Sequence, residues 1–192
     1  MNPPPLILAS TSPHRRRQMQ VLQLSFQTRA PGIDETPLPG EDPAAYVARL
    51  AQAKAAAVAG AEPEAVVIGA DQAAVLEKRI IGKPGDLATA RAQLAALAGR
   101  RVMFLSAVHV IGAGLDEGET IPTEVEFRTL DAATIARYLA REMALDCAAG
   151  FKSEGLGITL CRHIRSTDPS ALIGLPLIAL AKLLRRAGYL IP

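Results

Sequence analysis

Short apolar runs of strand length alternate with stretches of helical period along nearly the whole chain, and this interleaving restricts it to an architecture in which helices cover a sheet. Strand patterns fall at 6–10, 24–30, 65–70, 101–111, 123–128 and 157–164, and helical patterns at 13–22, 43–59, 86–98, 131–141 and 176–187. The expected fold is therefore α/β, with a mixed twisted sheet and flanking helices. Helix boundaries are marked by Ser12 before Pro13, by Asp86 and Asp131 as N-caps, by Pro176 near a start, and by Gly99 and Gly188 just past ends. No internal repeat or long linker divides the 192 residues, so residues 1–192 are expected to form a single domain. With 49% hydrophobic residues the chain can bury a sizeable core.

A formal net charge of +2 provides no broad basic face, which argues against a nucleic-acid partner and makes any anion site a local one. Cys147 and Cys161 are too few for a disulfide framework and match neither a zinc spacing nor a redox pair, so a reducing, cytoplasmic setting is expected. The start Met1-Asn2-Pro3-Pro4-Pro5 lacks a basic region and reads as no signal peptide; no uncharged window approaches the roughly 18 residues of a membrane span, so no membrane partner is expected. The glycines of 112–118 have the wrong spacing for a dinucleotide loop and read as a connection between strands, and no Walker A sequence occurs.

The run Val66-Val67-Ile68-Gly69-Ala70-Asp71 looks like a buried strand that stops on a carboxylate, and ligands bind at such strand ends in open α/β sheets. On its own, Asp71 would read as the start of a turn. The following Ala73–Ile81 segment resembles a tight hairpin around Glu77-Lys78, and counting back across it sets Lys83 beside Asp71, either as a surface ion pair or as part of a site. Lys54 falls on the apolar stripe of the helix 43–59, with Val47, Leu50, Ala51 and Val58; snorkelling past small alanines is the expected explanation, and reaching a bound phosphate the alternative.

The segment Ser10-Thr11-Ser12-Pro13-His14-Arg15-Arg16-Arg17 poses an electrostatic problem, because a helix N-terminus carries roughly +0.5 of an elementary charge and repels cations. A bound phosphate would resolve it, held by backbone N–H groups, the Ser10 and Ser12 hydroxyls and one arginine. Successive helical residues point about 100° apart, so Arg15 is assigned to the ligand and Arg16 and Arg17 to solvent or acidic neighbours. His109 and His163 are read as structural, Cys147 as a small core residue with no base nearby, and Asp168-Pro169 and Gly174-Leu175-Pro176 as turn and helix-start chemistry.

Taken in order, "LILASTSPHRR" (6–16), Ile33-Asp34-Glu35, "RLAQAKA" (49–55), "VIGADQ" with "IIGKP" (67–84), "EVEFRTL" (124–130) and "AAGFKSEGLGITL" with "DPSALIGLPL" (148–177) resemble the Maf family of nucleoside triphosphate pyrophosphatases. The resemblance implies a fold like that of inosine triphosphate pyrophosphatases, with two lobes around a central nucleotide cleft. It also implies a divalent cation, Mg2+ or Mn2+, and hydrolysis of a nucleoside triphosphate to the monophosphate and pyrophosphate. The partner is then a small-molecule nucleotide, and homodimers are common in such families. Asp71, Lys83 and Glu35 take the catalytic positions, with Asp71 and Glu35 on the metal; Ser10, Ser12, Arg15 and Lys54 take the substrate-binding ones.

Within the family, Gln72 and Glu154 look most like the 7-methyl-GTP branch, while the dTTP/UTP branch would show Arg, Thr and Gln at positions 14, 72 and 154. His14 stands where the favoured branch usually has Trp, so His14, Gln72 and Glu154 are the specificity positions. Glu154 could accept hydrogen bonds from guanine N1–H and its amine, a donor pair that pyrimidines lack; such a bidentate contact is worth about 1–3 kcal/mol. A carboxylate with a reference pKa of about 3.9 is a feeble base at neutral pH, so Asp71 is expected to act through the metal. The competing readings are a pyrophosphatase for other canonical or modified triphosphates, and a non-catalytic nucleotide-binding regulator of cell division.

Overall fold

The computed structural model describes residues 3–192; Met1 and Asn2, the first residues of the start read as no signal peptide, lie outside the described residues. Seven strands, β1 (Leu6–Ala9), β2 (Gln27–Arg29), β3 (Val66–Leu76), β4 (Arg79–Ile81), β5 (Arg101–Gly112), β6 (Leu115–Phe127) and β7 (Cys161–Ser166), form one mixed sheet. Its order is β2-β1-β3-β5-β6-β7, with β2 and β7 at the two ends of that path and β4, hydrogen-bonded to β3 alone, as a further edge strand. β1 runs parallel to β2 and β3, and the remaining pairs are antiparallel. The helices are α1 (Pro13–Gln20), α2 (Pro43–Ala59), α3 (Leu87–Leu97), α4 (Ala132–Arg141) and α5 (Leu177–Arg186).

Period-two alternation divides the core between the two faces of the sheet. Leu6, Leu8 and Ile68 pack with Met19 of α1 and with Leu180 and Leu184 of α5, whereas Ile7 and Val67 pack against Ala55 and Val58 of α2. A further cluster joins Phe104 and Phe127 to Leu94 and Leu97 of α3 and to Ile135 and Leu139 of α4. None of the described helices is long and apolar enough to cross a membrane.

The local end signals operate as expected: Ser12 accepts from Arg15 N, Asp86 from Thr89 N and Asp131 from Thr134 N. Three strand readings are corrected. The strand through Asp71 does not stop there, because antiparallel pairing to β5 carries β3 on to Leu76, with Asp71 opposite Ala107. The connection at 112–118 shrinks to Ala113-Gly114, both at positive φ (51° and 78°), a tight turn of primed type that lets β6 begin at Leu115. The first half of 157–164 is a 3-10 turn, Leu156–Leu160, and only the second half joins the sheet.

The extended β3 creates a gap in the sheet. β1 pairs with β3 only as far as Ile68, and β4 begins pairing at Ala74, so Gly69 to Ala73 lack a strand partner on that edge. The close approach of α2 to β3 here requires Gly69: a Cβ there would lie 2.0 Å from Ala51 O and 2.6 Å from Ala55 N. Asp71 and Lys54 thereby face each other at the gap.

Candidate active site

A cavity of about 450 Å³ opens at this gap, within the size range of small-molecule sites. All ten candidate residues line it: Ser10, Ser12, His14, Arg15, Glu35, Lys54, Asp71, Gln72, Lys83 and Glu154. They come from six separate parts of the chain.

At the bottom, Lys54 Nζ lies 2.7 Å from Asp71 Oδ1 and 2.7 Å from Glu35 Oε1. The Lys54 and Asp71 side chains are only 5% and 8% exposed. The expected snorkelling is corrected: the ammonium stays inside because two carboxylates compensate the loss of hydration. Partial burial raises the Glu35 carboxyl, but the Lys54 hydrogen bond and the positive charges of Lys54, Lys83 and Arg15 outweigh it and hold Glu35 below the ordinary range.

Lys83 does not sit beside Asp71 as an ion-pair partner. The β3–β4 ladder ends at Ala74 and Ile81, so the register stops before reaching Asp71; Lys83 is exposed at the rim and acts on Glu35 through space.

Above the carboxylates, Ser10 Oγ accepts from Ser12 N (3.1 Å), and Ser12 Oγ caps α1 at Arg15 N (3.4 Å), leaving both hydroxyl hydrogens for a ligand. Arg15 Nε donates to Gly174 O (2.9 Å), which fixes the guanidinium over the cavity. Gly174 has φ 125°, a backbone conformation that favours glycine. Burial lowers the affinity of Arg15 for its proton, and the charges of Asp71 and Glu35 oppose that. Arg16 and Arg17 are exposed; Arg17 bonds the Pro13 carbonyl rather than an acidic neighbour.

Gln72 is turned into the fold, its Nε2 donating to Ser106 Oγ and to the carbonyls of Ala171 and Leu172, at 2.9–3.0 Å. Asp168 accepts from Ser170 at one end and from Ile178 N at the start of α5 at the other, and so braces the turn that presents Gly174 to Arg15. His109 pairs with Asp116 (2.6 Å) on the sheet, away from the cavity residues.

The loop that carries Glu35 is strapped to α2 by three contacts that the sequence reading missed. Tyr46 Oη donates to Glu35 O (3.0 Å), and Arg49 forms a bidentate pair with Glu41 at 2.6 and 2.7 Å. Tyr46, Leu50 and Lys54 follow one another at helical i+4 spacing, which is the signal that could have found Tyr46. The Arg49 hydrogen bonds pull the Glu41 carboxyl down to about 2. Because the folded value is depressed, this contribution to stability is complete above the unfolded value of about 4.5 and disappears as pH falls through about 2. A carboxyl NMR titration is expected to report about 2 for Glu41, and a near-ordinary value in Arg49→Met; an ordinary value in the wild-type protein would remove the strap.

At the other end, His14 Nδ1 lies 2.7 Å from Glu154 Oε1, and His14 Nε2 lies 3.9 Å from Cys147 Sγ. The expectation that no base stands near Cys147 is thus corrected. Burial, with the charges of Asp146 and Glu154, nevertheless pushes the thiol up to about 12, which disfavours a nucleophilic thiolate. His14, Asp146 and Cys147 form a group able to hold a metal ion.

The family model described as Maf-like protein matches residues 5–187. A protein of Xanthomonas oryzae pv. oryzae named 7-methyl-GTP pyrophosphatase is 55% identical over 189 residues, covering 98% of this chain and 100% of its own. Proteins of the same name from Alkalilimnicola ehrlichii and Aromatoleum aromaticum are 51% and 50% identical, covering 97% of this chain and 94% and 97% of theirs. With the family model spanning nearly the whole sequence, the chain belongs to the Maf family.

Proposed function

We propose that this chain hydrolyses 7-methyl-GTP to 7-methyl-GMP and diphosphate, with Mg2+ or Mn2+ as cofactor. The observation that carries the reading is the meeting in one cavity of a capped helix start, two hydroxyls, Arg15 and Lys83 with the carboxylates of Asp71 and Glu35. Relatives bearing that name at 50–55% identity over nearly the full length support it.

The donor set fits a hard cation. Asp71 and Glu35 each give one oxygen to Lys54, and the second oxygen of each has no protein hydrogen bond among the described residues. Oxygen-only donors suit Mg2+ and Mn2+. Held there, the cation would supply charge neutralisation and activation of water. The start of α1 and the Ser10 and Ser12 hydroxyls bind the triphosphate, and Arg15 and Lys83 offset its charge as water attacks the α-phosphorus and pyrophosphate leaves. Lys54 fixes the angle between the two carboxylates. Asp71, held by Lys54 at 2.7 Å, is positioned to hold the cation and orient the attacking water.

His14 and Glu154 form the base end of the reading. Glu154 Oε1 already meets His14, so a guanine edge would share that carboxylate with the imidazole. A cytoplasmic, single-domain protein with two lobes around the cavity is part of the proposal, supported by two free cysteines and by cavity residues spread from Ala9 to Gly174.

Purified protein with Mg2+ or Mn2+ is expected to release pyrophosphate fastest from 7-methyl-GTP in a panel with GTP, dTTP, UTP and CTP; faster turnover of a pyrimidine nucleotide would overturn the base assignment. His14→Trp adds a cation–π surface worth about 0.5–2 kcal/mol and is expected to raise the 7-methyl-GTP to GTP ratio of kcat/KM by about 2- to 30-fold. An unchanged ratio removes His14 from the base pocket.

A further inference from the structure

His14, Asp146 and Cys147 bring an imidazole nitrogen, a carboxylate oxygen and a sulfur within 4.8 Å of one another on the cavity wall, a group that includes neither Asp71 nor Glu35. His14 Nε2 lies 3.9 Å from Cys147 Sγ and 3.6 Å from Asp146 Oδ2, and Cys147 Sγ lies 3.7 Å from Asp146 Oδ1. A tetrahedral zinc ion, with bonds of about 2.3 Å to sulfur and about 2.0–2.2 Å to nitrogen and oxygen, needs its donors roughly 3.4–3.6 Å apart. Each pair is within a few tenths of an ångström of that spacing, but the nitrogen faces Asp146 Oδ2 and the sulfur faces Oδ1. With one oxygen taken for both, the three donors lie within 4.8 Å of one another, and a turn of the exposed Asp146 carboxylate is needed to bring that oxygen to both.

The arrangement behind the imidazole also suits a metal. His14 Nδ1 lies 2.7 Å from Glu154 Oε1 and 3.3 Å from Arg17 Nη2; the shorter contact sets the hydrogen on Nδ1 toward the carboxylate, which leaves the Nε2 lone pair facing the sulfur and Asp146. A carboxylate behind a ligating histidine fixes the ring and raises its basicity. His14 stands in the first turn of α1, whose backbone is set by the Ser12 cap and Pro13. Asp146 and Cys147 are adjacent, and Cys147 leads into the 3-10 turn Ala148–Gly150. The Asp146 side chain is 64% exposed and that of His14 is 14% exposed, so the site is preformed on one side and adjustable on the other.

We propose that His14 Nε2, Asp146 and Cys147 Sγ form a site for a thiophilic divalent cation of the Zn2+ type, separate from the oxygen pair that suits Mg2+ or Mn2+. Binding forms a sulfur–metal bond and releases the thiol proton to solvent, with water in the fourth position. Because the same His14–Glu154 end receives the base in the proposed function, the bound cation obstructs nucleotide entry; this consequence rests on that reading, and the binding itself does not.

Co2+ is the probe, added to metal-free protein without nucleotide. A near-ultraviolet sulfur-to-cobalt absorption saturating at one equivalent and abolished by Zn2+ is expected for the wild-type protein and for Cys161→Ser, and is absent in Cys147→Ser. Asp146→Asn, at an exposed position, weakens Co2+ binding by about tenfold or more. The proposal is overturned if no sulfur band forms, if the band survives Cys147→Ser, or if excess Mg2+ removes it. With the site loaded, Zn2+ raises KM for 7-methyl-GTP in the wild-type protein and not in Cys147→Ser; an equal rise in both overturns the obstruction. The spectrum is read without turnover, so failure of the substrate assignment leaves it intact.

Discussion

Asp71→Asn is expected to lower kcat by at least about 100-fold with Mg2+ or Mn2+ present, while leaving the protein folded. The substituted amide removes one negative charge from the cavity but keeps an oxygen that accepts from Lys54, and Glu35 still pairs the ammonium at 2.7 Å. A buried lysine is thus not stranded, and the thermal midpoint moves much less than it would if the whole ion pair were broken. Steady-state kinetics and a thermal melt separate the two effects. Near-normal turnover would refute both the metal-holding and the water-orienting role of Asp71.

Gly69→Ala is expected to lose both stability and activity although residue 69 carries no chemistry. The added methyl would meet Ala51 O at 2.0 Å and Ala55 N at 2.6 Å, and both are backbone atoms of α2, so no rotamer change relieves the clash. Overpacking of this kind costs typically about 1–3 kcal/mol, or roughly 2–12 °C in Tm for a chain of this size. The helix must shift away from β3, and Lys54, on that helix, moves with it relative to Asp71. Shaving the side chain of residue 51 in an Ala51→Gly background should not restore either property. A double variant as stable and active as Ala51→Gly would show that the helix backbone is not what Gly69 accommodates.

How far these relations could be read beforehand depended on their distance along the chain. The Ser12, Asp86 and Asp131 caps were legible because a cap bonds an amide two or three residues away. Lys54 was legible as an anomaly, a charge on an apolar stripe, but its two acceptors stand 17 residues ahead on β3 and in a loop before α2. Counting across the hairpin misplaced Lys83 because register propagates only while the ladder lasts, and it lapses at Ala74 and Ile81. The approach of His14 to Cys147 joins positions 133 residues apart and leaves no periodic trace. The strand pattern at 157–164 did not distinguish a 3-10 turn from a strand, since both are short and mixed in polarity.

The rims of the sheet have a consequence for solubility. β2 offers only Gln27–Arg29, and β7 presents Arg162, His163 and Arg165 around a single exposed isoleucine. Brief, cationic borders of this kind are poor templates for strand recruitment by another molecule. In a crowded solution of this protein, edge-to-edge polymerisation through the two ends of the strand path is thereby disfavoured.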